Sequence, residues 1–146
     1  MRAIVTGQIG VDKKPYLNDT MRLAGERGEA IDTFHVGDMI RTFRDIIAAT
    51  RPVEEHRNVM VNTHATFRWH HGLFSAFDFD QIRALAPDLF ICLVDNVEVV
   101  HQRLHRDHIV DATLKDCMVW REEEILATEL MAEAMGCRNN FYILSR

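Results

Sequence analysis

Residues 7–14 read Gly7-Gln8-Ile9-Gly10-Val11-Asp12-Lys13-Lys14 and follow directly on the β-branched run "RAIVT" (2–6). Two glycines and a lysine in this order, between a strand and a helix, can curl backbone N–H groups around a phosphate and bring an ammonium to its outer oxygens. The full pattern, GxxxxGK[ST], asks for glycine where Asp12 stands. It asks for a magnesium-binding hydroxyl where Lys14 stands. A carboxylate about 4 Å from a phosphate costs on the order of 1–4 kcal/mol at effective dielectric constants between those of water and a protein surface. At the start of a helix, the same carboxylate can take the N–H groups that a phosphate would use. Lys14 brings donors but cannot coordinate a cation. Pro15 is compatible with a first helical turn but disfavours helical geometry at Lys14. The stretch is consistent with a phosphate loop and equally with an ordinary capped β–α turn.

Other residues invite chemistry with less support. His101 and His105 are four apart on one expected helix face, with His108 beyond. That spacing can bind zinc, but no HExxH glutamate accompanies it, and a solvated helix face explains it more simply. His64, His70 and His71 crowd one loop: His64 reads as a site residue or a core histidine bonded to backbone, the other two as surface residues flanking Trp69. Glu122, Glu123 and Glu124 read as the solvated face of a helix rather than as paired acid–base groups. Trp120 and Arg121 precede them, the tryptophan more readily a core residue than a platform for a base. No GxSxG, HExxH or Cys–His pattern supports a hydrolase.

The elements that must position these groups alternate. Strands are expected at 2–6, 31–36, 58–63, 88–94 and 140–144, and helices near 15–28, 38–50, 78–86, 97–107 and 114–135. The middle strands are almost continuously apolar, as strands covered on both faces must be. Thr113 and Asp116 suit an N-terminal capping box for the last helix, Leu114, Met118, Ile125, Leu126 and Leu130 recur at helical spacing, and Gly136 closes it. The expected fold is α/β, a five-stranded parallel sheet with helices on both faces and right-handed crossovers. Ligands bind such sheets at the carboxyl ends of the strands. That rule selects Gly7–Lys14, Gly37–Asp38, Asn62–Arg68 and Asp95–Asn96.

The totals narrow the classes. The 146 residues suit a single domain spanning 1–146. With 17 basic and 22 acidic residues, a net charge of −5 and no basic stripe, nucleic acid is not an expected partner. Apolar runs are too short for a membrane span and the amino terminus enters a strand at once, so neither membrane nor secretion is expected. Cys92, Cys117 and Cys137, three scattered thiols, suit the reducing cytoplasm. Nothing in the sequence specifies an oligomeric state.

The segment "VNTHATFRWHHGLFSAFDFDQIRALAPDLFICLVDNVEVVHQRL" (61–104) resembles the archaeal-type adenylate kinases. The likeness lies in Thr63-His64 after a strand, the Gly72-Leu73 turn, and Pro87-Asp88-Leu89 opening the fourth core strand. "AIVTGQIGV" and "FHVGDM" (34–39) are also similar to that family. The resemblance implies a P-loop nucleoside-monophosphate-kinase fold that binds ATP and a nucleoside monophosphate. It puts Gly7, Gln8, Ile9, Gly10, Val11, Asp12, Lys13 and Lys14 around the ATP phosphates, with Lys13 and Arg103 (or Arg106) acting on them. Gly37 and Asp38 would border the monophosphate pocket, with Thr63 and His64 between the two sites and Arg68 a weaker candidate to meet the monophosphate's phosphate. The family's acidic residue at the end of strand three, which positions Mg²⁺, is here Asn62, so Lys14 and Asn62 replace the usual ligands of that ion. The clamp helices expected between Ile40 and Arg41 look reduced. Two functions follow: phosphotransfer with weakened activity, or a non-catalytic nucleotide-binding or interaction module descended from a kinase.

Overall fold

The computed structural model describes residues 1–36, 58–69, 72–107 and 109–144. Along the chain run β1 (Arg2–Thr6), α1 (Lys14–Glu26), β2 (Ile31–His35), β3 (Asn58–Asn62), β4 (Thr66–Trp69) and β5 (Gly72–Ser75). Then come α2 (Phe79–Leu85), β6 (Leu89–Asp95), α3 (Val97–Arg106), α4 (Leu114–Met135) and β7 (Arg138–Leu144). Five of the strands form a parallel sheet in the order β2-β3-β1-β6-β7. This is the expected fold class.

The period-two alternation of the strands divides the core in two. Ile4, Val59, Val61 and Phe90 point to one face, where α2 contributes Ile82 and Leu85 and α4 contributes Met131 and Ala132. Ala3, Val5, Met60, Ile91 and Leu93 point to the other, against Leu17 of α1 and Val100 and Leu104 of α3. Helices therefore cover both faces, and β1, with β3 on one side and β6 on the other, is buried from Ala3 to Thr6. From β1 the chain passes to β2 at one edge and returns through β3, then crosses to β6 and β7 on the other side of β1. The carboxyl end of β1 lies where the direction reverses, which leaves a crevice for a ligand in sheets of this kind. Residues 7–13 occupy that position.

The helix ends follow local chemistry. Asp78 caps α2 by accepting from the N–H groups of Asp80 and Gln81, and Asn96 caps α3 by accepting from Glu98. Thr113 and Asp116 form the expected reciprocal box on α4, and Gly136 ends it in the left-handed region at φ 67°. The apolar residues whose spacing marked α4 do not build its core face. Leu114, Met118, Leu126 and Leu130 are 40–56% exposed, while Cys117, Glu124, Thr128, Met131 and Ala132 are buried.

One element departs from expectation. β4 (66–69) and β5 (72–75) pair antiparallel, with Phe67 opposite Phe74 and Arg68 opposite Leu73, where the sequence suggested a loop. Its strands are only four residues each and interrupted by two histidines, so alternation gives little signal. The helix expected at 38–50, the reduced clamp near Ile40 and Arg41, and the candidates Gly37 and Asp38 lie outside the described residues.

Candidate functional site

The loop leaving β1 is shaped by two glycines for separate reasons. A Cβ on Gly7 would stand 2.8 Å from the backbone oxygen of Leu93, so the loop passes too close to β6 for any side chain. Gly10 has φ +87°, and a Cβ there would meet Leu104 at 2.9 Å and Val100 at 3.0 Å. Between them a turn closes as Val11 N–H donates to the Gln8 carbonyl at 3.1 Å. Gln8 is buried and turns inward, its Nε2 donating to the carbonyl of Cys117 at 3.3 Å, while Ile9 at the tip stays exposed. Among the described residues, none accepts from the N–H groups of Gln8, Ile9, Gly10, Lys13 or Lys14. Donors in that state are what an anion requires.

Lys13 holds the N-cap position of α1 and makes no side-chain cap bond, and Pro15 falls in the first turn. Its side chain runs back under the loop, only 7% exposed. The ammonium donates to the carbonyls of Thr63 at 2.8 Å and Gly7 at 3.2 Å, and stands 3.4 Å from Nδ1 of His64. Burial pushes its pKa down to about 8, against the opposing pull of the Glu124 carboxylate and the Cys92 sulfur. At pH 7 the group is still mainly the ammonium. Asp12 and Lys14 stand on the exposed side of the same turn.

His64 arrives from the end of β3. Its Nδ1 lies 2.6 Å from the Gly7 carbonyl oxygen. Burial, and then the Lys13 charge, hold its pKa below the ordinary histidine value, so the ring is neutral at pH 7. A neutral imidazole that close to a carbonyl carries its proton on Nδ1, which leaves Nε2 as its basic atom. Thr63 and His64, singled out from the sequence, thus meet Lys13 at one point. The edge of the His64 ring faces Phe67 of the hairpin, with centroids 5.7 Å apart.

Arg103 bonds the loop itself. Its guanidinium donates from Nη1 to the Gly10 carbonyl and from Nη2 to Asp95 at 3.4 Å, both side chains largely buried. In this conformation it holds the loop from the α3 side. Arg106 is exposed and pairs with Asp107. Arg68 lies in β4 opposite Leu73.

Sequence reasoning missed the most connected side chain of the site. The run Glu122-Glu123-Glu124 was expected to be a solvated face, yet Glu124 is 1% exposed. Its Oε1 accepts from the N–H groups of Gly7 at 3.0 Å and Ala65 at 2.7 Å. Its Oε2 accepts from the N–H and the hydroxyl of Thr66 at 2.9 and 2.8 Å. Glu122 alone is exposed, pairing with Arg121. The available signal was position: Thr128, one turn on, is also a polar residue on the buried side, and it meets Thr6 at 2.8 Å.

Beside the loop tip lies a cavity of about 190 Å³ lined chiefly by Ile9, Phe67, Leu73, Val110 and Trp120, with Gln8, His64, Thr66 and Glu123 as polar groups. Trp120 is therefore both packed against the core and a wall of this cavity. The residues at the expected magnesium positions do not fit that ion well. Lys14 brings a positive charge, and Asn62 brings a neutral amide whose Nδ2 is 2.9 Å from His35 Nδ1 and whose buried Oδ1 has no hydrogen-bond partner. Among the described residues, no group of three His, Cys, Asp or Glu side chains is arranged to hold a metal ion. His101 and His105 stack edge to face at 4.9 Å, and His108 lies outside the described residues. Cys92 and Cys117 are buried free thiols, and burial raises the pKa of Cys92 to about 11, which keeps it unreactive. No helix among the described residues is long and apolar enough to cross a membrane.

Compared with known proteins, residues 17–117 match the family model described as the AAA domain. No curated protein matches the chain. The match opens within α1, just past the glycine-rich loop, and covers well over half of the 146 residues. The chain belongs to that AAA-domain family, a family of P-loop NTPases.

Proposed function

We propose that this member of the AAA-domain family binds ATP through residues 7–14 and transfers its terminal phosphate, slowly, to a nucleoside monophosphate. The observation that carries the reading is the meeting of the loop lysine with the Thr63-His64 segment. Lys13 lies under a loop in which the N–H groups of Gln8, Ile9 and Gly10 have no protein acceptor among the described residues, and its ammonium stands 3.4 Å from His64. A phosphate on the loop would draw the ammonium from the Gly7 and Thr63 carbonyls onto its own oxygens and gain a charge-assisted bond. Phosphoryl transfer is positioning and charge neutralisation, and the loop, Lys13 and the cavity supply the positioning. Magnesium, where it accompanies ATP, supplies further charge neutralisation. Asp12, Lys14 and Asn62 weaken that part, hence the slow rate. The resemblance of residues 61–104 to archaeal-type adenylate kinases supports a nucleoside monophosphate as acceptor. Calorimetric titration with ATP and with AMP, and ADP formation from the two together, test the reading; no binding of either nucleotide at millimolar concentration would sink it.

A second reading, a non-catalytic nucleotide-binding or interaction module, is favoured by Asp12 at the rim of the same loop. It predicts binding without turnover. It also predicts that Asp12→Gly tightens ATP binding by about tenfold, the effect of removing a like charge near the phosphates at a cost of ~1.4 kcal/mol. ADP formation that Lys13→Ala abolishes would dispose of this second reading.

A further inference from the structure

The β4–β5 hairpin and the glycine-rich loop come from distant parts of the chain, yet one carboxylate joins them. We infer that Glu124 is a positioning residue that locks the hairpin to the phosphate loop, so that the cavity wall and the Lys13 ammonium keep one geometry. Each carboxylate oxygen accepts two bonds, Oε1 from Gly7 and Ala65 and Oε2 from Thr66 twice. Gly7 belongs to the loop, whereas Ala65 and Thr66 lead into the hairpin. Glu124 itself sits on α4, in the turn after Trp120. All three elements therefore converge on one buried side chain.

The chemistry of the position admits few substitutes. Four donors facing one side chain require an acceptor on both oxygens, and only an ionised carboxylate presents that. Glutamine would turn an NH₂ group toward N–H donors. Aspartate keeps the charge, but its shorter stem withdraws the oxygens from at least one of the two segments. The hairpin that Glu124 fixes carries Phe67 and Leu73, which wall the cavity opposite Ile9 of the loop. Moving the hairpin would move that wall relative to the lysine.

The same carboxylate acts on Lys13. The titratable groups facing the ammonium are Glu124 from α4, Cys92 from β6 and His64 from the end of β3. Of these, the glutamate is the stronger of the two that favour the charged amine, which burial disfavours. Its loss therefore leaves the amine neutral over more of the neutral pH range.

The name "positioning residue" rests on the proposed phosphate chemistry, but the test reads the ligand-free protein and is independent of it. Lys13 is titrated by NMR through its side-chain carbon and nitrogen in wild type, Glu124→Gln and Glu124→Asp, and amide exchange is followed at Gly7, Ala65 and Thr66. Wild-type Lys13 is expected to titrate near 8. In Glu124→Gln its midpoint falls below the wild-type value and the three amides exchange at least tenfold faster, while amides of α1 keep their rates. In Glu124→Asp the Lys13 midpoint stays closer to wild type and exchange rises at Gly7 or at Ala65 and Thr66. An unchanged Lys13 midpoint with unchanged exchange at the three amides in Glu124→Gln would overturn the inference. Should Glu124→Gln fail to fold, wild-type exchange at all three of Gly7, Ala65 and Thr66 in Glu124→Asp would overturn it instead. ATP titration of the wild type runs in parallel: absence of binding there removes the phosphate reading and leaves these outcomes standing.

Discussion

Lys13 and His64 share the Gly7 carbonyl, and each is pushed by burial toward its neutral form. The consequences run in opposite pH directions. As pH rises through about 8 the ammonium is lost, so ATP affinity should fall there rather than near the ordinary lysine value of 10.5. Calorimetry at pH 7 and pH 9 checks this, and equal affinities would show that Lys13 does not carry the binding. His64 has a folded pKa below its unfolded value. Its contribution to stability is thus present above about pH 6.5 and is lost as pH falls from there toward the folded pKa. Urea denaturation at pH 7 and pH 5 should give a smaller loss in His64→Gln than in wild type, since glutamine does not titrate. The histidine's place was legible because the Thr63-His64 pair follows a clear strand. Glu124's was not, because the identity of a charged residue says nothing about whether donors surround it. Only the tertiary approach of residues 7, 65 and 66 makes that carboxylate buried.

At the scale of elements, the glycine-rich loop is held from two sides: α3 supplies Arg103, Val100 and Leu104, and α4 supplies Glu124. Gly10 is where the first of these contacts leaves no room. Gly10→Ala should destabilise the protein by about 1–3 kcal/mol, from the clash with Leu104 and a positive φ that alanine tolerates poorly. Denaturant midpoints measure this, and a loss below ~0.5 kcal/mol would mean that loop and helix can part without penalty. The loop's order of strand, glycines, lysine and helix was readable from residue types alone. Its grip on α3 was not, since Val100 and Leu104 look like any apolar pair one helical turn apart. The long helix α4 was located through its capping box and Gly136, signals that lie within a few residues of each helix end. Its buried face was misjudged, because Leu126 and Leu130 mark a helical period without saying which side meets the sheet. The hairpin escaped notice because its strands are only four residues each, too short for alternation to show.

Over the whole molecule, the division into two half-cores around a parallel sheet follows from strands that are apolar on both faces, and this was the most legible feature. Phe90 sits at the centre of one half, fully buried, with Phe77 edge-on at 6.0 Å. Phe90→Ala should cost about 3–5 kcal/mol in chemical denaturation, the range for emptying an aromatic site in a close-packed core. Much less would mean that this half can collapse around the gap. The sheet order puts the end of β1 at the reversal point, and family membership is consistent with nucleotide there.

In the proposed function, residues 7–14 hold the ATP phosphates with Lys13 as their cation. Titration of ATP into wild type and Lys13→Ala at pH 7, where the wild-type amine is mainly charged, tests it most directly. Submillimolar binding by the wild type, weakened at least tenfold in Lys13→Ala while the variant remains folded, is the predicted result. Equal affinity in the two proteins, or no binding in either, would contradict it.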